Sequence, residues 1–130
     1  MNSIDHVGIA VADLEAARRV WDGLLGQEPE LEDLPTQGVR AATYPCGVEL
    51  IAPTAADSPI SRFLEKRGEG IHHVTIRVSD IEAELLRLKR AGRKLVHETP
   101  VPGAGGCRVA FLHPSAAGGV LVELQEKPRG

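Results

Sequence analysis

Apolar residues alternate with polar or small ones in two stretches of the chain. The alternation covers residues 7–11 in the first stretch and residues 74–78 in the second. A period of two is typical of a β-strand that buries one face. The pattern therefore predicts one amphipathic strand near the beginning of the chain and another near its middle.

A helical pattern follows each of these strands. Asp13 and Asp80 each precede apolar residues at helical spacing, which is the position of an N-cap. Gly26 and Gly92 come directly after the last apolar residues of the two patterns and predict the helix ends. Each strand is therefore expected to lead into one amphipathic helix.

The two strand–helix units are copies of one another. Residues 4–16 and 71–83 align without a gap at a constant offset of 67, and eight of their 13 positions are identical. Short apolar stretches follow each helix, at about 28–33, 39–45 and 47–52 in the first half and about 94–98, 106–112 and 119–125 in the second. This repeat predicts an α+β protein made of two paired β-α-β-β-β modules.

The expected domain organisation is a single domain that covers residues 1–130. Module one covers about 1–56, a connecting segment about 57–69, and module two about 70–130. Within the connecting segment, residues 59–67 predict a short helix or turn, because Pro59 suits a first helical turn.

Composition excludes several classes of protein. The chain has 130 residues, 42% of them hydrophobic, and a net charge of −3, which argues against a disordered chain and against a nucleic-acid partner. It contains neither an apolar run long enough to cross a membrane nor the features of a signal peptide, and Cys46 and Cys107 form no Cys-x-x-Cys pair. We therefore expect a cytoplasmic protein with no membrane partner.

Four side chains in the repeat have the chemistry of a metal site. Strand alternation turns His6 and His73 away from the apolar face, and it does the same for Glu49 and Glu123 in the last strand of each module. A carboxylate inside an apolar strand is costly unless it is paired or bound to a metal. Two histidines and two glutamates suit a divalent ion such as Mn, Co, Ni, Zn or Fe. A histidine on a strand is otherwise most often a hydrogen-bonded core residue, and Glu49 could instead face solvent on an edge strand.

These residues stand in segments that resemble the vicinal-oxygen-chelate (glyoxalase) superfamily and, within it, the methylmalonyl-CoA epimerases. The resemblance covers the whole chain. The segments that carry it are IDHVGIAV (4–11), TQGVR (36–40), DSPISRFLEKRGEGIHHV (57–74) and GAGGCRVAFLHPSAAGGVLVEL (103–124).

The resemblance implies a curved, open-barrel mixed sheet around a metal site, and a metal-dependent isomerase of propionate metabolism. The reaction would interconvert (2R)- and (2S)-methylmalonyl-CoA by removal of the C2 proton through a metal-stabilised enolate. By resemblance the metal ligands are His6, Glu49, His73 and Glu123, and the ion would be Co, Mn, Ni or Zn. The family also implies a possible homodimer.

The same resemblance assigns roles in proton transfer and substrate binding. Glu123 is the expected acid or base on one face of C2, and Glu49, His113 or a metal-bound water would act on the other. Some epimerases have a second acid/base glutamate on the strand after the Gln-Gly-Val motif, and the matching place in this chain is near Ala41.

Basic residues are candidates for binding the phosphates of the acyl-CoA substrate. Arg62 and Lys66 in the connecting segment form one candidate patch, and the cluster at residues 89–94 is a second. The alternative interpretation is that each cluster is only part of the solvated surface and binds no ligand.

Three alternative functions share this fold. The first is a glyoxalase I-type isomerase that acts on a thiol hemithioacetal with a similar metal and base. The second is a metal-free protein that binds small molecules. A ring-cleaving dioxygenase is less favoured, because its iron site needs open positions that a second carboxylate would occupy.

Overall fold

The computed structural model describes residues 2–128. The chain folds into two compact units. The N-terminal unit is His6–His72, and within the described range the C-terminal unit consists of residues 2–5 and 73–128. No helix within residues 2–128 is long and apolar enough to cross a membrane.

The first module begins with β1 (Ser3–Ala10) and α1 (Leu14–Leu25). It continues through β2 (Glu30–Leu34), β3 (Val39–Thr43), β4 (Val48–Pro53) and the connecting helix α2 (Pro59–Arg67). The strands are ordered β2-β3-β4-β1. The pair β1–β4 is parallel, whereas β2–β3 and β3–β4 are antiparallel.

The second module repeats this plan. It contains β5 (Gly70–Arg77), α3 (Ile81–Arg90), β6 (Val101–Pro102), β7 (Arg108–Leu112) and β8 (Val122–Glu126). The strands are ordered β5-β8-β7-β6, and β5–β8 is again the parallel pair. The predicted α+β class with two β-α-β-β-β modules is confirmed.

Each module buries an apolar cluster between its sheet and its helix. In the first, α1 covers a cluster that includes Leu14, Tyr44 and Leu50. In the second, α3 contributes Ile81 and Leu85 to a cluster with residues of β7 and β8. In the N-terminal unit, α2 covers part of the other face of the sheet, in a cluster formed by Ala10, Val39, Ile51 and Ile60.

The predicted helix starts are confirmed. Asp13 Oδ1 accepts a hydrogen bond of 3.1 Å from the Ala16 N–H, and Asp80 Oδ1 accepts one of the same length from Ala83. Gly26 ends α1 with φ of +62°, a conformation that costs glycine little. The other helix, α3, ends slightly earlier than its pattern predicts, because Ala91 rather than Gly92 is the C-cap.

The predicted strand at 94–98 is wrong. Only Leu95 in that stretch forms an isolated bridge, with Leu112, and the short strand β6 lies farther along the chain. The N–H groups of Val96 and His97 both donate to the Phe111 carbonyl, so the regular ladder cannot continue. The His97 ring also accepts a hydrogen bond at Nδ1 from the Phe111 N–H.

Candidate metal and proton-transfer site

The first histidine–glutamate pair lies in the N-terminal unit. Gly8 in β1 is the register partner of Glu49 in β4, and His6 is two residues before Gly8, so His6 and Glu49 project from the same face. His6 Nε2 lies 3.5 Å from Glu49 Oε1, and both residues are buried.

The second pair lies in the C-terminal unit and repeats this geometry. Thr75 in β5 is the register partner of Glu123 in β8, and His73 is two residues before Thr75. His73 Nε2 lies 3.6 Å from Glu123 Oε1. The His73 side chain is 4% exposed and that of Glu123 is 13% exposed, so both groups are largely shielded from water.

The separation within each pair suits two ligands of one ion. A well-formed N–H···O hydrogen bond spans about 2.7–3.2 Å, which is shorter than the 3.5 and 3.6 Å found here. Two ligand atoms at about 2.0–2.2 Å from a metal ion lie roughly 3.0–3.5 Å apart. The separations of 3.5 and 3.6 Å lie at and just above the upper end of this range. The nitrogen and oxygen donors therefore match a divalent ion in chemistry and come close to it in spacing within each pair.

Hydroxyl groups contact both glutamates. The Thr75 hydroxyl donates a hydrogen bond of 2.7 Å to Glu123 Oε1. The Thr43 hydroxyl, from the neighbouring strand β3, donates to Glu49 Oε2 over 3.4 Å. Sequence reasoning did not identify either threonine as a site residue. The available signal was the alternation that places Thr75 on the same face as His73.

Aromatic rings contact the adjacent histidines His73 and His72. Phe111 meets the His73 ring edge to face at 5.8 Å, and its register partner in β8 is Glu123. In the N-terminal unit, His72 packs edge to face against Phe63 at 5.0 Å. Burial lowers the pKa of His72, and the negative charge of Glu49 partly opposes this shift.

Ala41 lies near the place where the sequence resemblance leads us to expect a second acid/base glutamate. It lies in β3 opposite Ile51, on the same face of the sheet as Glu49, and is 2% exposed. A methyl group neither accepts nor donates a proton, so this position contributes no acid or base here.

His113 has a structural contact of its own. Its Nδ1 accepts a hydrogen bond of 3.1 Å from the Ser115 N–H and lies 2.8 Å from the Ser115 hydroxyl, at the start of a 3-10 turn. His113 therefore acts as the N-cap of that turn.

The two basic candidates lie on an exposed side of α2. Arg62 and Lys66 are one helical turn apart, and both side chains are exposed. Within residues 2–128, neither forms an ion pair with an acidic side chain, so both charges can attract an anion.

A family model matches most of the chain. The model describes the glyoxalase/bleomycin resistance protein/dioxygenase superfamily and matches residues 5–111. The match includes both helices of the repeat and three of the four predicted metal ligands.

Two epimerases from other organisms are similar to this chain over most of its length. The chain is 43% identical to the ethylmalonyl-CoA/methylmalonyl-CoA epimerase of Cereibacter sphaeroides, over 95% of this chain and 96% of that protein. It is 42% identical to the crystal structure of methylmalonyl-CoA epimerase from Mycobacterium tuberculosis, with a TM-score of 0.90 over 97% of this chain and 88% of the other.

A further solved structure carries a bound ligand. It is a methylmalonyl-CoA epimerase in complex with methylmalonyl-CoA and NH4+, and the chain is 33% identical to it. The TM-score is 0.89, and the match covers 98% of this chain and 95% of the other.

Proposed function

The chain belongs to the methylmalonyl-CoA epimerase family of the glyoxalase superfamily, and on this premise we propose that it interconverts the (2R) and (2S) forms of methylmalonyl-CoA. The protein is an isomerase of this epimerase type. The observation that carries the proposal is the histidine–glutamate pair, largely shielded from water, that the repeat provides twice, with nearly equal N···O separations of 3.5 and 3.6 Å.

Our proposal for the metal ligands names one pair from each module. His6 and Glu49 come from the first module, and His73 and Glu123 come from the second. The support is the shared register of the two pairs and the spacing within each. A divalent ion held by these donors would supply Lewis-acid stabilisation of negative charge on the substrate oxygens.

Epimerisation at C2 needs one group that removes a proton and one that returns a proton on the opposite face. We assign the first role to Glu123 for one epimer and to Glu49 for the other. In each direction the ionised carboxylate takes the C2 proton, and the C–H electron pair is delocalised onto the thioester oxygen. The pair then returns to C2 as the other glutamic acid donates its proton to the opposite face and is left as a carboxylate. The assignment to Glu49 rests on its burial beside His6 and on the methyl group at Ala41.

The CoA portion of the substrate carries phosphate groups, and we assign their contacts to Arg62 and Lys66. Both cations are exposed on the same helix and available for an anion. We also assign a substrate contact to His113. Its capping contacts with Ser115 use Nδ1, so the substrate contact would be made through Nε2.

Proton exchange in heavy water tests the proposed reaction. We expect the purified protein to convert (2S)-methylmalonyl-CoA to the (2R) form with deuterium incorporated at C2, as measured by NMR. If the protein instead converts a methylglyoxal–thiol adduct and does not exchange the C2 proton of methylmalonyl-CoA, the proposal is wrong and the glyoxalase I-type reaction takes its place. Ligand binding that persists in a chelator, with neither reaction, would indicate the metal-free binding protein.

Metal content tests the ligand assignment separately. Elemental analysis should find about one divalent ion per chain in the wild type and far less in His73→Ala. The matched control is His97→Asn, whose amide oxygen can replace the ring nitrogen that accepts the Phe111 N–H. Equal metal content in His73→Ala and His97→Asn would contradict the assignment of His73.

A further inference from the structure

A buried hydroxyl group lies against the carboxylate that we assign to proton transfer. We propose that Thr75 is a positioning residue, which fixes Oε1 of Glu123 so that Oε2 meets the substrate in a constant orientation. This inference rests on the proposed function, because Glu123 acts as acid or base only in that reaction.

The contact is short and shielded. The Thr75 hydroxyl lies 2.7 Å from Glu123 Oε1, the usual length of a strong O–H···O hydrogen bond, and Thr75 is 0% exposed. Threonine is branched at Cβ, so few rotamers are available to it in a strand. The donor is therefore held in place by the backbone of β5, which pairs with β8 at these two residues.

The same oxygen faces the histidine. Glu123 Oε1 is the atom that lies 3.6 Å from His73 Nε2, so the hydroxyl and the imidazole approach one oxygen of the carboxylate. A carboxylate held at one oxygen loses most of its rotation about the last side-chain bond. Restricting an acid or base to its reactive orientation lowers the entropic part of the barrier.

The repeat provides an internal comparison. The residue that corresponds to Thr75 in the first module is Gly8, which has no hydroxyl and is the register partner of Glu49. Glu49 instead has the longer 3.4 Å contact from Thr43, at its other oxygen. The hydroxyl at position 75 is therefore not a requirement of the repeated strand, and the two glutamates are held differently.

The test compares two substitutions at one position in the metal-loaded enzyme. Thr75→Val keeps the branched shape and removes the hydroxyl, whereas Thr75→Ser keeps the hydroxyl. We expect kcat for epimerisation to fall about 10- to 100-fold in Thr75→Val with KM within about twofold, and to stay within about threefold of wild type in Thr75→Ser. Thr43→Val, which removes the longer contact, should reduce kcat less than Thr75→Val does.

A readout independent of turnover accompanies the kinetics. In the cobalt-substituted protein, the visible spectrum should change in Thr75→Val and match the wild type in Thr75→Ser, with about one cobalt per chain in both. Wild-type kcat in Thr75→Val, or equal losses in both variants, would overturn the inference. If the wild type itself fails to exchange the C2 proton, the proposed function fails, and an unchanged cobalt spectrum in Thr75→Val would overturn the positioning role as well.

Discussion

The two glutamates of the site place their carboxyl groups where water has little access. Glu49 is 7% exposed as a whole residue, and the Glu123 side chain is 13% exposed. An isolated buried carboxylate costs several kcal/mol, so each needs a cation or hydrogen-bond donors nearby. Histidine in its neutral form supplies no compensating charge, and a divalent ion would supply it. Burial therefore destabilises the two carboxylates when no cation is near them, and this favours binding of a divalent ion.

Replacing each glutamate with glutamine separates metal binding from proton transfer. Glutamine keeps an oxygen ligand but cannot accept or return the C2 proton. We expect Glu123→Gln and Glu49→Gln each to lower the epimerisation rate about 10²- to 10⁴-fold, because each deletes one acid/base group. Each variant should still exchange the C2 proton of one epimer with heavy water, and the two should prefer opposite epimers. Chiral analysis and NMR of the recovered substrate provide the measurement.

Two results would contradict this division of roles. If Glu49→Gln retained wild-type epimerisation, another group would act on the second face of C2. If both variants exchanged the same epimer, the two carboxylates would not lie on opposite faces of the substrate. Metal content measured on the same samples excludes simple loss of the ion.

Tyr44 offers a test away from the site. Its hydroxyl donates a short hydrogen bond of 2.5 Å to Asp22 Oδ1, and the residue is buried in the cluster under α1. Burial, together with the hydrogen bond to Asp22 and its charge, raises the pKa of Tyr44 from 10.0 to about 12. The raised pKa means that folding favours the neutral phenol. This contribution to stability is complete below pH 10 and is lost as the pH rises from 10 towards 12.

The chain contains one tyrosine, so absorbance at 295 nm reports on Tyr44 alone. We expect a midpoint near pH 12 in the folded protein and near pH 10 in urea. The Asp22→Asn variant should titrate between these values, because it keeps a hydrogen-bond acceptor and removes the charge. A folded-state midpoint near 10 would contradict the buried hydrogen bond.

At the level of secondary structure, the connecting helix α2 does more than join the modules. Its N-terminus is capped by the Ser58 side chain, which accepts from the Ser61 N–H at 3.1 Å. Its apolar side packs Ile60, Phe63 and Leu64 against the sheet of the N-terminal unit. This packing holds the helix in a fixed orientation, so the charges on its exposed side have fixed positions too.

Charge reversal on α2 tests the proposed phosphate contacts. The double variant Arg62→Glu/Lys66→Glu should raise KM for methylmalonyl-CoA about 10- to 100-fold and leave kcat within about twofold, since the phosphates are remote from C2. The matched control reverses two exposed charges of the second patch, Arg90→Glu/Arg93→Glu, and should change KM less than twofold. The KM of the wild type should rise with salt. If the control variant raised KM more than Arg62→Glu/Lys66→Glu does, the phosphate contact would be assigned to the second patch instead.

For the whole molecule, local signals explain what the sequence predicts well. The N-caps Asp13 and Asp80 act within three residues, and both helix starts agree with the pattern. Strand alternation predicts that His6 and Glu49 share a face in the first module and that His73 and Glu123 share one in the second, and the strand register agrees with this; their role as metal ligands stays a proposal. The family assignment is also confirmed by similarity over nearly the full length of the chain.

Long-range pairing explains what the sequence could not predict. The two-residue strand β6 exists because Val101 and Pro102 pair with Val109 and Arg108 in β7, and nothing in its own residues marks it as a strand. Strand alternation places Thr75 on the same face as His73, but no local pattern marks it as a partner of Glu123. Its importance depends on Glu123, 48 residues away, and on the register of a parallel strand pair. Sequence patterns identify faces and caps, whereas register requires the folded chain.

The proposed ion takes ligands from both modules, so its removal should affect the stability of the whole chain. A ligand that binds only the folded state at 100 times its dissociation constant stabilises that state by about 2.7 kcal/mol. For a chain of this size, the loss corresponds to a decrease in melting temperature on the order of 10 °C. We expect a chelator to lower the melting temperature of the wild type by this amount and re-addition of the metal to restore it. His6→Ala and His73→Ala, each lacking a ligand in a different module, should melt at the same temperature with or without the chelator. If only one of the two lost its response, the ion would depend on one module, and the proposal of a shared ion would be wrong.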